Sequence, residues 1–262
     1  MSIFAFGGMA MLNLVEAGVA VQAKLSHGTM KGYERSHPLM ISKLPPWVWA
    51  GAWALAFVAG MVNVVGFLGF EHQAVTHLTG TTSMLAAAFA SADPGAILHF
   101  TAIIGSFVGG AVASGFLIQD STLQLGRRYG VALAFESVLL CATVPLLNRG
   151  NPFGMYLASG ACGLQNAMVS TYSGTVIRTT HLSGMFTDLG IFLGHLLRGL
   201  RVDMRRLKLC FLIISGFLCG GVAGALAFRE LAYSTLLIPG ALTAVTSLSY
   251  GIFRMRKPRP GP

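Results

Sequence analysis

The chain has 262 residues; 54% are hydrophobic, only 10% are charged, 33 are glycine, and the mean hydropathy is +0.67. A soluble domain carries about 25% charged residues, so a water-facing surface cannot be built from this composition, and apolar runs long enough to cross a bilayer recur throughout. That excludes a secreted disulfide scaffold, a coiled coil and a disordered tail, and leaves an all-α polytopic membrane protein whose main partner is the lipid bilayer. The net charge of +9 comes from basic clusters at 24–43, 198–208 and 254–259. No aromatic residues interleave with them as base stacking requires, so no nucleic-acid partner is expected and membrane topology explains the charge.

In chain order, residues 1–46 form an N-terminal leader. Its first 23 residues are fairly apolar, but Glu16 interrupts them and no basic stretch precedes them, which makes a poor signal peptide. Residues 24–45 are polar and read as cytoplasmic, with a surface-lying helix ahead of them; the alternative is a start at Met30 or Met40. From Trp47, eight apolar segments follow at roughly 47–70, 74–91, 96–118, 129–147, 153–176, 181–197, 209–228 and 232–253. A basic cytoplasmic tail, 254–262, closes the chain. Most segments reach the 20 or so residues that cross a bilayer at about 1.5 Å per residue. The second and sixth are shorter, and each opens on a polar cluster. If all eight span, the 18 Lys and Arg divide fourteen inside to four outside; if the second and sixth dip in and return, sixteen to two. Either way both termini are cytoplasmic, and the bundle has six to eight transmembrane segments.

The halves 47–147 and 153–253 match. Gly60-Met61-Val62-Asn63 recurs as Gly163-Leu164-Gln165-Asn166, offset by 103, and Thr76-His77-Leu78-Thr79-Gly80 as Thr180-His181-Leu182-Ser183-Gly184, offset by 104. Gly105, Gly109 and Gly110 recur as Gly216, Gly220 and Gly221, offset by 111. The chain therefore reads as two internal repeats. Gly105, Gly109 and Ala113, like Gly216, Gly220 and Gly224, place a small residue every fourth position, which lets helices approach closely in lipid.

Thr79 and Ser183 beside glycines have the chemistry of helix caps. Gly80 and Gly184 let the backbone bend toward a ligand. If these starts lie inside the membrane, two helix N-termini present free N–H groups to one central solute site; the alternative is a pair of ordinary caps at the surface. The Asn63 and Asn166 amides, with Gln165 beside the latter, either bridge helices or orient the solute. His77 and His181 are proton-responsive groups or hydrogen-bonding partners at the helix starts. A metal centre would need further ligands, and His72, Glu71 and Asp188 fit no recognised spacing. Two acids, Glu136 and Asp188, sit inside apolar segments, where an unpaired charge costs several kcal/mol. They are candidates for proton coupling, with Arg178 or a histidine as the structural alternative. Cys141, Cys162, Cys210 and Cys219 lie in apolar segments with no CxxC and are expected to be buried. No catalytic signature or cofactor loop is present, so no enzyme and no cofactor is expected.

Gly60-x-x-Asn63, the THLTG string at 76–80, Gly163-Leu164-Gln165-Asn166-Ala167 and Thr179-Thr180-His181-Leu182-Ser183-Gly184-x-x-Thr187-Asp188-x-Gly190 resemble the YoaK family of small bacterial membrane proteins, from about Trp47 to Arg254. The resemblance implies inner-membrane residence and a helical bundle, and no activity. Many relatives carry Asp where this chain has Asn63, and TGN where it has Leu78 to Thr81, which weakens an acid-coupled first half. The reading that results is a carrier for a small polar solute, with an anion favoured. A homodimer packed through small-residue faces suits so short a carrier. The alternative is a non-transporting membrane scaffold or assembly protein.

Overall fold

The computed structural model describes residues 46–69, 75–118, 127–172 and 179–256. Glu71, His72, Arg178, the leader and the end of the tail lie outside them. Among the described residues every element is helical. They are α1 (Pro46–Gly69), α2 (Leu78–Ala90), α3 (Pro94–Leu117), α4 (Arg127–Leu147), α5 (Phe153–Tyr172), α6 (Leu182–Leu197), α7 (Met204–Leu231), a 3-10 turn (Ala232–Leu236) and α8 (Leu237–Arg256). Four stretches are long and apolar enough to cross a membrane: Val48–Gly69, Pro94–Leu117, Arg128–Leu147 and the run Met204–Ile252, which holds both α7 and α8. α5 is of similar length but more polar, carrying Ser159, Gln165, Asn166 and Thr171. Large apolar side chains cover the outside, Leu98, Phe116 and Leu197 among them, where water would penalise them and lipid would not. The chain is a helical membrane protein.

Packing follows small residues. α1 lies along α7, and α3 along α5. At Gly60 an added Cβ would strike the carbonyl of Phe217, at Gly220 that of Phe57, at Gly163 that of Phe107 and at Gly110 that of Gly160. Only glycine permits backbones that close. The contacts come in matching pairs: Gly60 on Phe217 matches Gly163 on Phe107, and Gly220 on Phe57 matches Gly110 on Gly160, at offsets of 103 between α1 and α5 and 110 between α3 and α7. The contacts of α3 and α7 thus pair at an offset of 110, where the glycine strings match at 111. Gly105 and Gly109 face outward with nothing within 4 Å of an added Cβ, while Gly110 and Ser114 are buried in their place. In α7 the expected face, Gly216, Gly220 and Gly224, is buried. Ile103 and Ile213, also 110 apart, are both buried. The caps agree: Asp93 Oδ1 accepts from Gly95 N and Ala96 N, and Asp203 Oδ1 from Arg205 N and Arg206 N.

α4 packs on α5 and α8. Ser137 Oγ donates to the Gly240 carbonyl and Ser247 Oγ to the Gly130 carbonyl, each at 2.7 Å. Rising numbers in α4 thus meet falling numbers in α8, and the two helices are antiparallel. A buried cluster joins Val62 and Val65 near the end of α1, Leu140, Val144 and Leu147 at the end of α4, Met155 and Ala158 at the start of α5, and Leu236 just before α8. Those four ends share one side of the bundle. α1, α4 and α7 therefore run one way and α3, α5 and α8 the other. α1 and α5 point in opposite directions. Of the cysteines, Cys162 and Cys210 are buried as expected, but Cys141 and Cys219 face outward.

Candidate functional site

The two short helices are the elements that do not fit a simple up-and-down bundle. α2 has 13 residues and α6 has 16, about 20 and 24 Å, short of the roughly 30 Å hydrocarbon core. α1 ends and α3 begins on the same side, with α2 between them in the chain. α6 lies between the end of α5 and the start of α7, which share the opposite side. α2 packs on α3 and α6 on α7.

Each start is built the same way. The N-cap residues are His77 and His181, not Thr79 and Ser183, and neither imidazole caps the helix. Thr79 and Ser183 lie one residue inside the first turn and are exposed. Their carbonyls accept from Ser83 Oγ and Thr187 Oγ1, one turn later. The His rings fold back over the glycine three residues on. An added Cβ would lie 3.3 Å from His77 Nδ1 at Gly80, and would collide with the His181 ring at Gly184. His-x-x-Gly is thus a packing unit, and the first N–H groups of both helices are left without a side-chain cap, as at an anion-receiving helix start.

The amides behave differently from one another. Asn63 Oδ1 accepts from Thr76 N at 3.2 Å and Thr76 Oγ1 at 2.7 Å, which holds the segment before α2 against α1. Thr76 is buried, and Asn63 lies six residues before the end of α1, roughly 9 Å along its axis. Gln165 is fully buried, and its Nε2 donates to the Leu55 carbonyl at 2.9 Å; it ties α5 to α1. Asn166 Oδ1 is buried with no hydrogen-bond partner, and so is Thr179 Oγ1.

The two acids also part company. Asp188 makes a 3.1 Å ion pair with Arg206, whose guanidinium sits over the Phe192 ring at 5.9 Å. Sequence reasoning offered Arg178 or a histidine as partner and missed Arg206, which sits on the next helix. Glu136, midway along α4, is 1% exposed, and its Oε2 has no partner. α4 packs on α5, where Cys162 is likewise buried. Cys162 is one helical turn before Asn166 on the same face of α5.

Residues 51–249 match a family model described as protein of unknown function (DUF1275). No curated protein matches the chain. No solved structure matches it.

Proposed function

The chain belongs to the DUF1275 family of proteins of unknown function, in keeping with its resemblance to the YoaK family, and we propose that it is an inner-membrane carrier for a small polar solute, with an anion favoured. In this reading six helices span and two re-enter, the two halves are inverted repeats, and both termini are cytoplasmic. The opposed directions of α1 and α5 support the inversion, and the sixteen-to-two division of the 18 Lys and Arg supports the orientation. The observation that carries the carrier reading is the pair of uncapped helix starts at His77 and His181, at corresponding places in the two halves and entered from opposite sides. Broken or re-entrant helices so placed are how inverted-repeat carriers present N–H groups to a solute. Glu136 fits proton coupling because it is buried and unpaired; Asp188 would join only when its pair with Arg206 opens. Gly105 and Gly109, facing outward on α3, offer a homodimer the small-residue face it would need.

The test is uptake of labelled formate, acetate, lactate and phosphate into proteoliposomes under an inward proton gradient. A carrier moves at least one of them faster than protein-free vesicles, and Glu136→Gln removes the dependence on the gradient while the protein still reconstitutes. Uptake no faster than in protein-free vesicles for all four sinks the reading. The second reading, a non-transporting scaffold, is favoured by Asn63 and Gln165, whose amides tie backbone together. On that view Asn166→Ala lowers the amount of folded protein rather than any flux.

A further inference from the structure

The two halves treat a matching pair of polar positions differently, and the difference marks a ligand. Asn63 Oδ1 is filled by Thr76. Its counterpart Asn166 Oδ1 is buried and unfilled, and Thr180, which corresponds to Thr76, makes no bond to it among the described residues. One residue earlier, the first half carries Val75, 1% exposed and packed in the apolar cluster. The second half carries Thr179, 0% exposed, with its hydroxyl unpartnered. Valine and threonine have nearly the same shape, so the second half holds a polar group where an apolar one demonstrably packs. A buried polar atom without a partner costs about 1–3 kcal/mol, and two of them, in the segments that match those joined by Asn63 and Thr76 in the first half, call for an occupant. Three residues after Thr179, α6 begins with its first N–H groups uncapped.

Resting on the carrier reading, we propose that Asn166 Oδ1, Thr179 Oγ1 and the start of α6 form a binding site for a small carboxylate bearing an adjacent hydroxyl or ammonium group. An amide oxygen only accepts, so its occupant must donate. The uncapped N–H groups and the positive end of the helix require an acceptor, best an anion. A simple carboxylate satisfies the helix and leaves the amide oxygen empty. A simple ammonium satisfies the oxygens and is repelled by the helix. A molecule with both groups on neighbouring atoms satisfies all of them, and the first half cannot take it because Thr76 already occupies Asn63.

The experiment is thermal unfolding of the purified full-length protein in detergent with acetate, glycolate or glycine at equal concentration and ionic strength. Glycolate or glycine is expected to raise Tm by a few degrees more than acetate; which of them acts tells hydroxyl from ammonium. Asn166→Ala and Thr179→Val, the latter restoring the residue type of the first half, should erase that difference. Ser247→Ala, remote on α8, should lower Tm overall and keep it. The proposal is overturned if acetate matches the other two, if none shifts Tm, or if the difference survives in both site variants. Because the readout is binding, a failure here alongside proteoliposome uptake of another solute discards this site and leaves the carrier reading standing.

Discussion

Single residues here act through backbone approach and buried hydrogen bonds, so their substitution costs can be ranked. Asn63 accepts two bonds from Thr76; Asn63→Ala leaves a buried N–H and hydroxyl unsatisfied. A loss of about 1–3 kcal/mol follows, seen as a lower Tm, and an unchanged Tm would mean that Thr76 does not depend on that amide. Gly60→Ala and Gly110→Ala should be far worse than Gly105→Ala. The first two would drive a methyl into the facing carbonyls of Phe217 and Gly160, while Gly105 has nothing within 4 Å. The yield of monodisperse protein after extraction checks this, and equal tolerance at all three positions would contradict the helix register. Asp188 and Arg206 are part-exposed, so Asp188→Asn should change stability by no more than ~1 kcal/mol, and any larger loss of transport would belong to function.

At the scale of elements, α4 and α8 are joined by two hydrogen bonds that mirror one another, Ser137 to Gly240 and Ser247 to Gly130. Ser137→Ala and Ser247→Ala should each cost about 1 kcal/mol and combine additively in thermal unfolding, because the two bonds lie about two helical turns, roughly 10 Å, apart and share no partner. Much of this level was legible in the sequence. Segment lengths announced the two short helices, and the His77 and His181 motifs announced their paired starts. The register of α3 was not legible, because its sequence offers two adjacent small stripes, Gly105–Gly109 and Gly110–Ser114, and only the partner helix selects between them. The discriminating signal was Asp93 and Asp203, capping residues 110 apart, together with Gly130-to-Ser137 and Gly240-to-Ser247 at the same offset. The caps of α2 and α6 were misread for a local reason: the histidines begin those helices two residues before Thr79 and Ser183 and fold over the glycines. Which amides would be consumed by packing was also hidden, since Gln165 meets Leu55 from 110 residues away. Asn166 and Asn63 carry the same side chain, and only the fold separates a filled amide from an empty one.

For the whole molecule, the organising fact is direction. α1, α4 and α7 run against α3, α5 and α8, and the two short helices close gaps between ends on the same side. On the carrier reading each half is the inverted counterpart of the other; in the fold the two halves of the chain are interleaved, with α1 on α7 and α3 on α5. Neither repeat is a separate body, so truncation to one half should yield no stable protein: Gly60, Gly110, Gly163 and Gly220 all find their close contacts across the halves. A central solute site requires α2 and α6 to enter the membrane and return, and one measurement tests that. Single cysteines at Ala92 and Arg149, in a variant lacking the four native cysteines, are probed in intact cells with a membrane-impermeant maleimide. With six spans and two re-entrant helices, both the turn between α2 and α3 and the turn between α4 and α5 face the outside, and both positions label. If neither labels until the membrane is opened, all eight segments cross, the halves are parallel, and the paired helix starts lose their place in a central site.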